Sequence, residues 1–425
     1  MKPSSQPLSL SKFAWLPVAA AALMSAWGAQ AQELQLYGLV DAGVTRVSGL
    51  RQGSVTQLAS GIMEGSRWGM KGTEDLGGGY KTIFTIESRF EVDTGAESNR
   101  PISGTQAPDR IGTPAALGLA TNGFTTAAVN AVNNNLTGTF GVNLNNAGFD
   151  RQAYVGLITP VGAVLAGRMY TPGYEVSAQF DAMETQSALA AGQMAAIPAG
   201  FDIRMSNALQ YRIQTGGVSA SVYYAAGETG ASSSNNRLLG AMAMYKGNGY
   251  AAGIGHNTRN NELGQKSLTT TTVGGWLNAG PGKLSVMYSI HKDDNPSNLS
   301  TIAQTLTNAG LGAVAASVQT AYINALKMDA RLFNIGYRIP FGASTVTFAY
   351  TNRNDKTAGN SDSSSYGVAY TYALSKRTDL NAVVVRVDNK TNGQAAAGGN
   401  GYLGGVTRAA GVDSTSIALG IRHRF

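Results

Sequence analysis

Hydrophobic and polar positions alternate with period two along most of this chain. In "KLSVMYSIHK", Leu284, Val286, Tyr288 and Ile290 share one face, and Ser285, Met287, Ser289 and His291 share the other. "SSYGVAYTYAL" sets Tyr366, Val368, Tyr370, Tyr372 and Leu374 against Gly367, Ala369, Thr371 and Ala373. "STVTFAY" and "GGVSASVYY" repeat the pattern through Val346, Phe348 and Tyr350, and through Val218, Val222 and Tyr224. The last residues, "STSIALGIRHRF", place Ile417, Leu419, Ile421, His423 and Phe425 opposite Ser416, Ala418, Gly420, Arg422 and Arg424. Segments of about ten alternating residues with aromatics at the ends of the apolar row predict transmembrane β-strands. Hydrocarbon leaves no partner for a bare N–H or C=O, so such strands must close into a barrel, with lipid on one face and water on the other.

The breaks between strands set the size. Short turns fall at Asp75–Gly79, Thr159–Val161, Thr215–Gly217, Gly247–Gly249, Gly280–Gly282, Pro340–Gly342 and Ser375–Arg377, rich in the Gly, Pro and Asn that tight hairpins need. Longer polar stretches lie between them, at 48–64, 94–148, 172–202, 228–236, 258–266, 294–325, 354–363 and 390–412. Seven turns and eight loops join sixteen strands, and merging or splitting one hairpin gives fourteen or eighteen. The expected fold is all-β: a 16-stranded antiparallel transmembrane barrel with short periplasmic turns and long external loops. A barrel of that size encloses an aqueous channel. A soluble β-sandwich also alternates, but these strands are long for a sandwich and their apolar rows end in Tyr, Trp or Phe. Two loop stretches, 185–200 and 306–327, are alanine-rich without alternation and are expected to be partly helical. The Asn-, Gly- and Ala-rich insertion 94–148 is expected to be a partly ordered surface loop against a neighbouring subunit.

Composition sharpens this picture. Only 13% of the 425 residues are charged, against 54 glycines and no cysteine. The missing cysteine removes disulfides, Cys-ligated zinc and thiol catalysis. Residues 1–31 carry Lys2 and Lys12, an apolar run from Phe13 to about Trp27, and Ala29-Gln30-Ala31, the layout of a cleaved export signal. The barrel is expected to occupy 32–425. Removing the two signal lysines takes the net charge from +7 to +5. The cations are scattered rather than clustered, so nucleic acid is not an expected partner. No metal constellation or phosphate-binding loop stands out, and no cofactor is expected. The imidazoles His256, His291 and His423 sit in no catalytic motif, so an outer-membrane hydrolase is disfavoured.

Several cations fall on the small-residue face of strands. Arg67 and Lys71 share a face opposite Trp68 and Met70, Arg151 shares one with Ala153 and Val155, and Arg204 lies opposite Met205 and Leu209. Arg168 joins the same set. A guanidinium facing lipid near the midplane costs roughly 2–4 kcal/mol, so these side chains are expected to line the pore. The loop at 172–202 carries Glu175, Asp181 and Glu184, and Asp41 lies on the face opposite Val40, Ala42 and Val44. If that loop folds inward, its carboxylates oppose the arginines across a narrow, ion-selective zone.

"LYGLVDAG", "GSRWGMKGTEDLGGGYKTIFTIES", "FDRQAYVGL", "GAVLAGRMYTP" and the terminal "ALGIRHRF" together resemble the general diffusion porins of Gram-negative outer membranes, in particular the β-proteobacterial subgroup. The resemblance covers the whole mature chain. It implies a sixteen-stranded barrel, a homotrimer set among outer-membrane lipid and lipopolysaccharide, and a third external loop folded inward as the constriction. It also implies an arginine ladder, mapping here to Arg67, Arg151 and Arg204, opposed by loop acids mapping to Asp181 and Glu184. Phe425 resembles the terminal aromatic that the barrel-assembly machinery reads. The function implied is passive diffusion of small hydrophilic solutes and inorganic ions, with a preference for anions. A substrate-specific channel and an adhesive or structural barrel are the alternatives.

Overall fold

The chain closes on itself. Residues 39–47 pair antiparallel with 416–424, Val40 opposite His423 and Val44 opposite Leu419. The computed structural model describes residues 33–97, 107–136, 148–185, 187–195, 202–230, 232–398 and 405–425; the expected export signal lies outside them. The strands are β1 Glu33–Leu50, β2 Gly53–Ser60, β3 Arg67–Gly77, β4 Tyr80–Arg89, β5 Gln152–Thr159 and β6 Gly162–Tyr170. They continue as β7 Arg204–Thr215, β8 Val218–Ala225, β9 Leu238–Lys246, β10 Tyr250–Asn260, β11 Lys266–Ala279 and β12 Gly282–Asp293. Then come β13 Met328–Phe341, β14 Ser344–Asp355, β15 Ser363–Ala373, β16 Thr378–Asn389, a short loop pair β17 Ala395–Ala396 and β18 Gly405–Val406, and β19 Ser414–Arg424.

Each wall strand pairs antiparallel with its sequence neighbours, and β1 pairs with β19. β2 and β3 lie end to end along β1, with Ala42 opposite Ser60 and Leu39 opposite Arg67. Together they make one wall strand interrupted by 61–66. The seventeen strands of the sheet thus form a closed barrel of sixteen.

The alternation maps onto the wall as expected. Val286, Tyr288 and Ile290 are exposed on the outer face, while Ser285, Met287 and Ser289 between them are buried on the inner one. Tyr80, Tyr245, Tyr250, Phe341, Tyr372 and Phe425 lie exposed at strand ends beside the short turns, the level at which amphipathic rings meet headgroups. The chain terminus is stitched in: the Phe425 N–H donates to the Gly38 carbonyl at 3.1 Å, and the Gly38 N–H to the Phe425 carbonyl at 3.2 Å.

One loop differs from expectation, and others gain detail. The polar stretch 48–64 is not an external loop: β1 runs on to Leu50, turns in two residues and returns as β2. Its Ser, Thr and Gln read as loop because these strands extend beyond the apolar belt, where no hydrophobic row is required. The insertion 94–148 holds two helices, α1 Asp109–Gly112 and α2 Gly123–Leu136, packed against another loop of the same chain. In the third long loop the helix is α3 Pro172–Phe180, before the alanine-rich run, which contributes a 3-10 turn at Ala191–Ala195. The alanine-rich 306–327 falls in α4 Ile302–Asn308 and α5 Gly312–Leu326.

Candidate functional site: a charged throat inside the barrel

The loop between β6 and β7 enters the barrel and lies on its inner wall. Pro172 opens α3, a position where its missing N–H costs nothing. The Gly173 N–H donates to the Asn257 side chain at 3.0 Å, and Asn257 in turn donates to the Thr171 hydroxyl at 2.9 Å. Two strand glycines make room for the loop. A Cβ at Gly274 would sit 2.7 Å from the Phe180 Cβ, and one at Gly336 would sit 2.4 Å from the Ala182 Cβ. Glycine here serves close backbone approach. Val176, Phe180, Ala182 and Leu189 are thereby buried against Met287, Leu332 and Ala349 of the wall. The Ser187 N–H then reaches the Met63 carbonyl at 2.7 Å, so the loop meets the segment 61–66.

Both inserted segments are organised by a buried carboxylate. Asp41 is fully buried and accepts the N–H groups of Ile62, Met63 and Glu64 at 3.1, 2.8 and 2.8 Å. Asp181 accepts those of Met183, Thr185 and Ala191 at 3.0, 3.2 and 3.1 Å. Burial pushes the Asp181 carboxyl up to about 6, against the downward pull of those three amides. Burial likewise raises the Glu175 carboxyl, with the Arg212 guanidinium beside it pulling the other way.

The cationic residues read from the sequence come together on the wall from β3 to β7. Arg151 Nε donates to Glu87 Oε1 at 2.6 Å, and the Tyr37 hydroxyl donates to Glu87 Oε2 at 3.1 Å. Arg151 and Arg204 both donate to the Tyr170 hydroxyl, at 3.2 and 2.9 Å. Arg204 lies 4.5 Å from the Tyr170 ring centre, and Tyr170 stacks on Tyr174 of α3 at 5.2 Å. Arg67 pairs with Glu64. At a register shift between β6 and β7, Arg168 donates to the Asp150 carbonyl at 2.6 Å and the Ser206 hydroxyl at 3.1 Å. Lys71 is exposed, its ammonium 5.6 Å from the Tyr37 ring. Arg151 precedes β5, so the alternation of Ala153 and Val155 does not set its direction; Val155 faces outward.

The acids are arranged differently from the sequence reading. Asp41 points inward but lies beneath 61–66, where it satisfies amides instead of lining the open interior. Asp181 does the same within its own loop. Glu184 faces Lys283 at 2.8 Å and Arg338 at 3.5 Å on β12 and β13, across the barrel from the arginine wall. The carboxylates beside the arginines are Glu64 and Glu87, which sequence reasoning missed. Glu87 had a signal, being an acid within the alternating run "KTIFTIESR"; Glu64 looked like a loop residue. Arg422 and Arg424 at the end of β19 join the same network, through Glu64 at 2.8 and 3.3 Å and Asp379 at 3.1 and 2.8 Å.

The result is a polar inner surface with cations and acids held by one another, inside a wall whose other face is apolar. Among the described residues no group of acids and histidines is placed to hold a metal. His256 and His423 lie on the outer face, bonded to Thr271 and Thr378.

The sequence profile of the Gram-negative porins matches residues 18–392. An outer membrane porin of Bordetella pertussis is 24% identical over 96% of this chain and 98% of its own length. An outer membrane porin of Delftia acidovorans is 25% identical over 96% of this chain and 99% of its own. Among solved structures, an anion-selective porin from Comamonas acidovorans aligns with a TM-score of 0.66 at 24% identity, covering 93% of this chain and 100% of that one. Salmonella typhi OmpF, solved with daunomycin, aligns with a TM-score of 0.56 at 14% identity, covering 93% of this chain and 98% of that one.

Proposed function

This chain belongs to the Gram-negative porin family, and on that premise we propose that it is an anion-preferring diffusion channel whose constriction lies between the arginine wall and the seated inward loop. It is an outer-membrane porin; the selectivity and the constriction are the inference. The observation that carries it is the convergence of Arg67, Arg151 and Arg204 on the wall opposite the long stretch of wall that the loop covers. A closed barrel permits passage without any energy source, so small hydrophilic solutes and inorganic ions move down their gradients. The similar Comamonas acidovorans structure, an anion-selective porin, supports the same reading. Planar-bilayer recording tests it: the purified protein should give discrete conducting steps and a reversal potential of anion sign in a salt gradient. Absence of steps defeats the channel, and a cation sign defeats the selectivity.

Among Arg67, Lys71, Arg151, Arg168 and Arg204, Lys71 is the exposed cation. Lys71→Gln is expected to lower the anion-to-cation permeability ratio by about twofold, since one screened unit charge acts oppositely on the two ions. An unchanged reversal potential removes Lys71 from the permeation path.

The working unit is proposed to be a homotrimer in outer-membrane lipid, consistent with the trimer form described for Vibrio cholerae OmpT. Phe425 is proposed as the residue read by the barrel-assembly machinery. Phe425→Ala should then reduce the heat-modifiable barrel recovered from membranes several-fold, while the same protein refolds normally in detergent. Equal loss in both settings makes Phe425 merely structural. The stacked Tyr170–Tyr174 pair favours a second reading, a substrate-specific channel. Liposome swelling across sugars and carboxylates separates the two by whether the rates follow size alone.

A further inference from the structure

Two external loops rise from opposite sides of the barrel and meet. One joins β4 to β5 and the other joins β12 to β13, roots eight places apart in a ring of sixteen. Their helices nevertheless share one apolar core. Ile111, Val129 and Val132 of the first loop are buried against Leu306, Val318 and Tyr322 of the second. The Tyr322 ring is fully buried, and its hydroxyl lies within hydrogen-bond distance of the Ile111 carbonyl, the Val129 carbonyl and the Asn133 side chain, at 3.3, 3.2 and 2.9 Å.

The first loop is also held at another part of the rim. Asp109 Oδ1 accepts from Arg51, in the β1–β2 turn, at 2.7 Å. Its Oδ2 accepts the Ala410 N–H at 3.1 Å, and its own N–H donates to Gln394 at 2.8 Å, both in the loop that leads to β19. A segment rooted after β4, pinned beside β1 and β19, and packed on helices rooted at β12 and β13 has to cross the mouth. Its helices bury a core of their own, so the crossing is a built structure and not a loose strand of chain.

Resting on the reading of this chain as a channel, we propose that α1, α2, α4 and α5 form a roof over the external mouth that acts as a size filter ahead of the constriction. Solutes reach the throat beside the roof instead of straight down the barrel axis. A small recess lined by Arg110, Arg353, Gln193, Asn392 and Gln394 lies at its edge. The roof limits bulk, and the arginine wall below it sets the sign of the charge that passes.

Liposome swelling with sugars of graded size tests this, using two variants. Tyr322→Ala opens the roof core, and the pair Arg51→Ala with Asp109→Ala cuts the pin without touching that core. Barrel integrity is checked by heat-modifiable mobility, and the pin variant decides the question if Tyr322→Ala does not assemble. Expected is a several-fold rise in the rate for a trisaccharide relative to a monosaccharide, with an unchanged reversal potential. Unchanged relative rates in a folded variant overturn the filter. A wild-type protein that passes not even the monosaccharide overturns the channel reading itself, so the two failures are distinguishable.

Discussion

Serine at both Arg67 and Arg151 is expected to lower the anion-to-cation permeability ratio by about fivefold. At water's dielectric a unit charge about 7 Å from a permeant ion acts on it by about 0.6 kcal/mol, and physiological salt screens this to about 0.25 kcal/mol. Two charges acting with opposite sign on anions and cations change the balance by about 1 kcal/mol, hence the factor. The local effect goes further, because Glu87 loses the guanidinium that pairs with it, while Glu64 loses Arg67 and keeps Arg422 and Arg424. Adding Glu87→Gln to the double variant should therefore restore part of the anion preference. The reversal potential of a single channel across a salt gradient reads all three proteins. If the triple variant behaves as the double one, Glu87 does not act on the permeant ion.

Asp181→Ala is expected to release the inward loop. Three backbone N–H groups share that carboxylate, and each buried donor left unmatched costs roughly 1–3 kcal/mol. The loop then keeps its ties to Asn257, Met63 and Lys283 and its apolar seat, chiefly the fully buried Phe180 over Gly274. A loosened loop should show as larger and noisier open-channel current, and as new protease cleavage within 182–195 while the barrel stays intact. Asp181→Asn keeps one acceptor oxygen and should fall between the two. A quiet channel of unchanged conductance in the alanine variant would mean that packing alone seats the loop.

Asp41 and Asp181 illustrate what could not be read in advance. Both were legible as inward-facing acids. Their amide partners were not, because a carboxylate beside a strand carries no local mark of whether a loop will come to lie on it. Gly274 and Gly336 looked like ordinary strand glycines for the same reason; their meaning depends on Phe180 and Ala182, which arrive from a distant part of the chain. Arg67 and Arg204 were legible as inward-facing, since lipid disfavours a guanidinium on the outer face; Arg151 precedes its strand, and the face that alternation gives it is the outer one at Val155. Tyr322 lies in an alanine-rich run that reads only as partly helical, and its three partners lie about 190 to 210 residues away.

The amino-acid sequence by itself determined the closed barrel, its strand number to within one hairpin, and the side on which most of its strand charges sit. These follow from period-two alternation and from turn residues, both of which act between near neighbours under the single demand that one face meet hydrocarbon. Tertiary structure alone decided which acid meets which arginine, how the inward loop is moored and that two far loops join above the mouth. Glu64 meets Arg422 across 358 residues; pairings of that kind come into being only when the cylinder closes and brings its seam together.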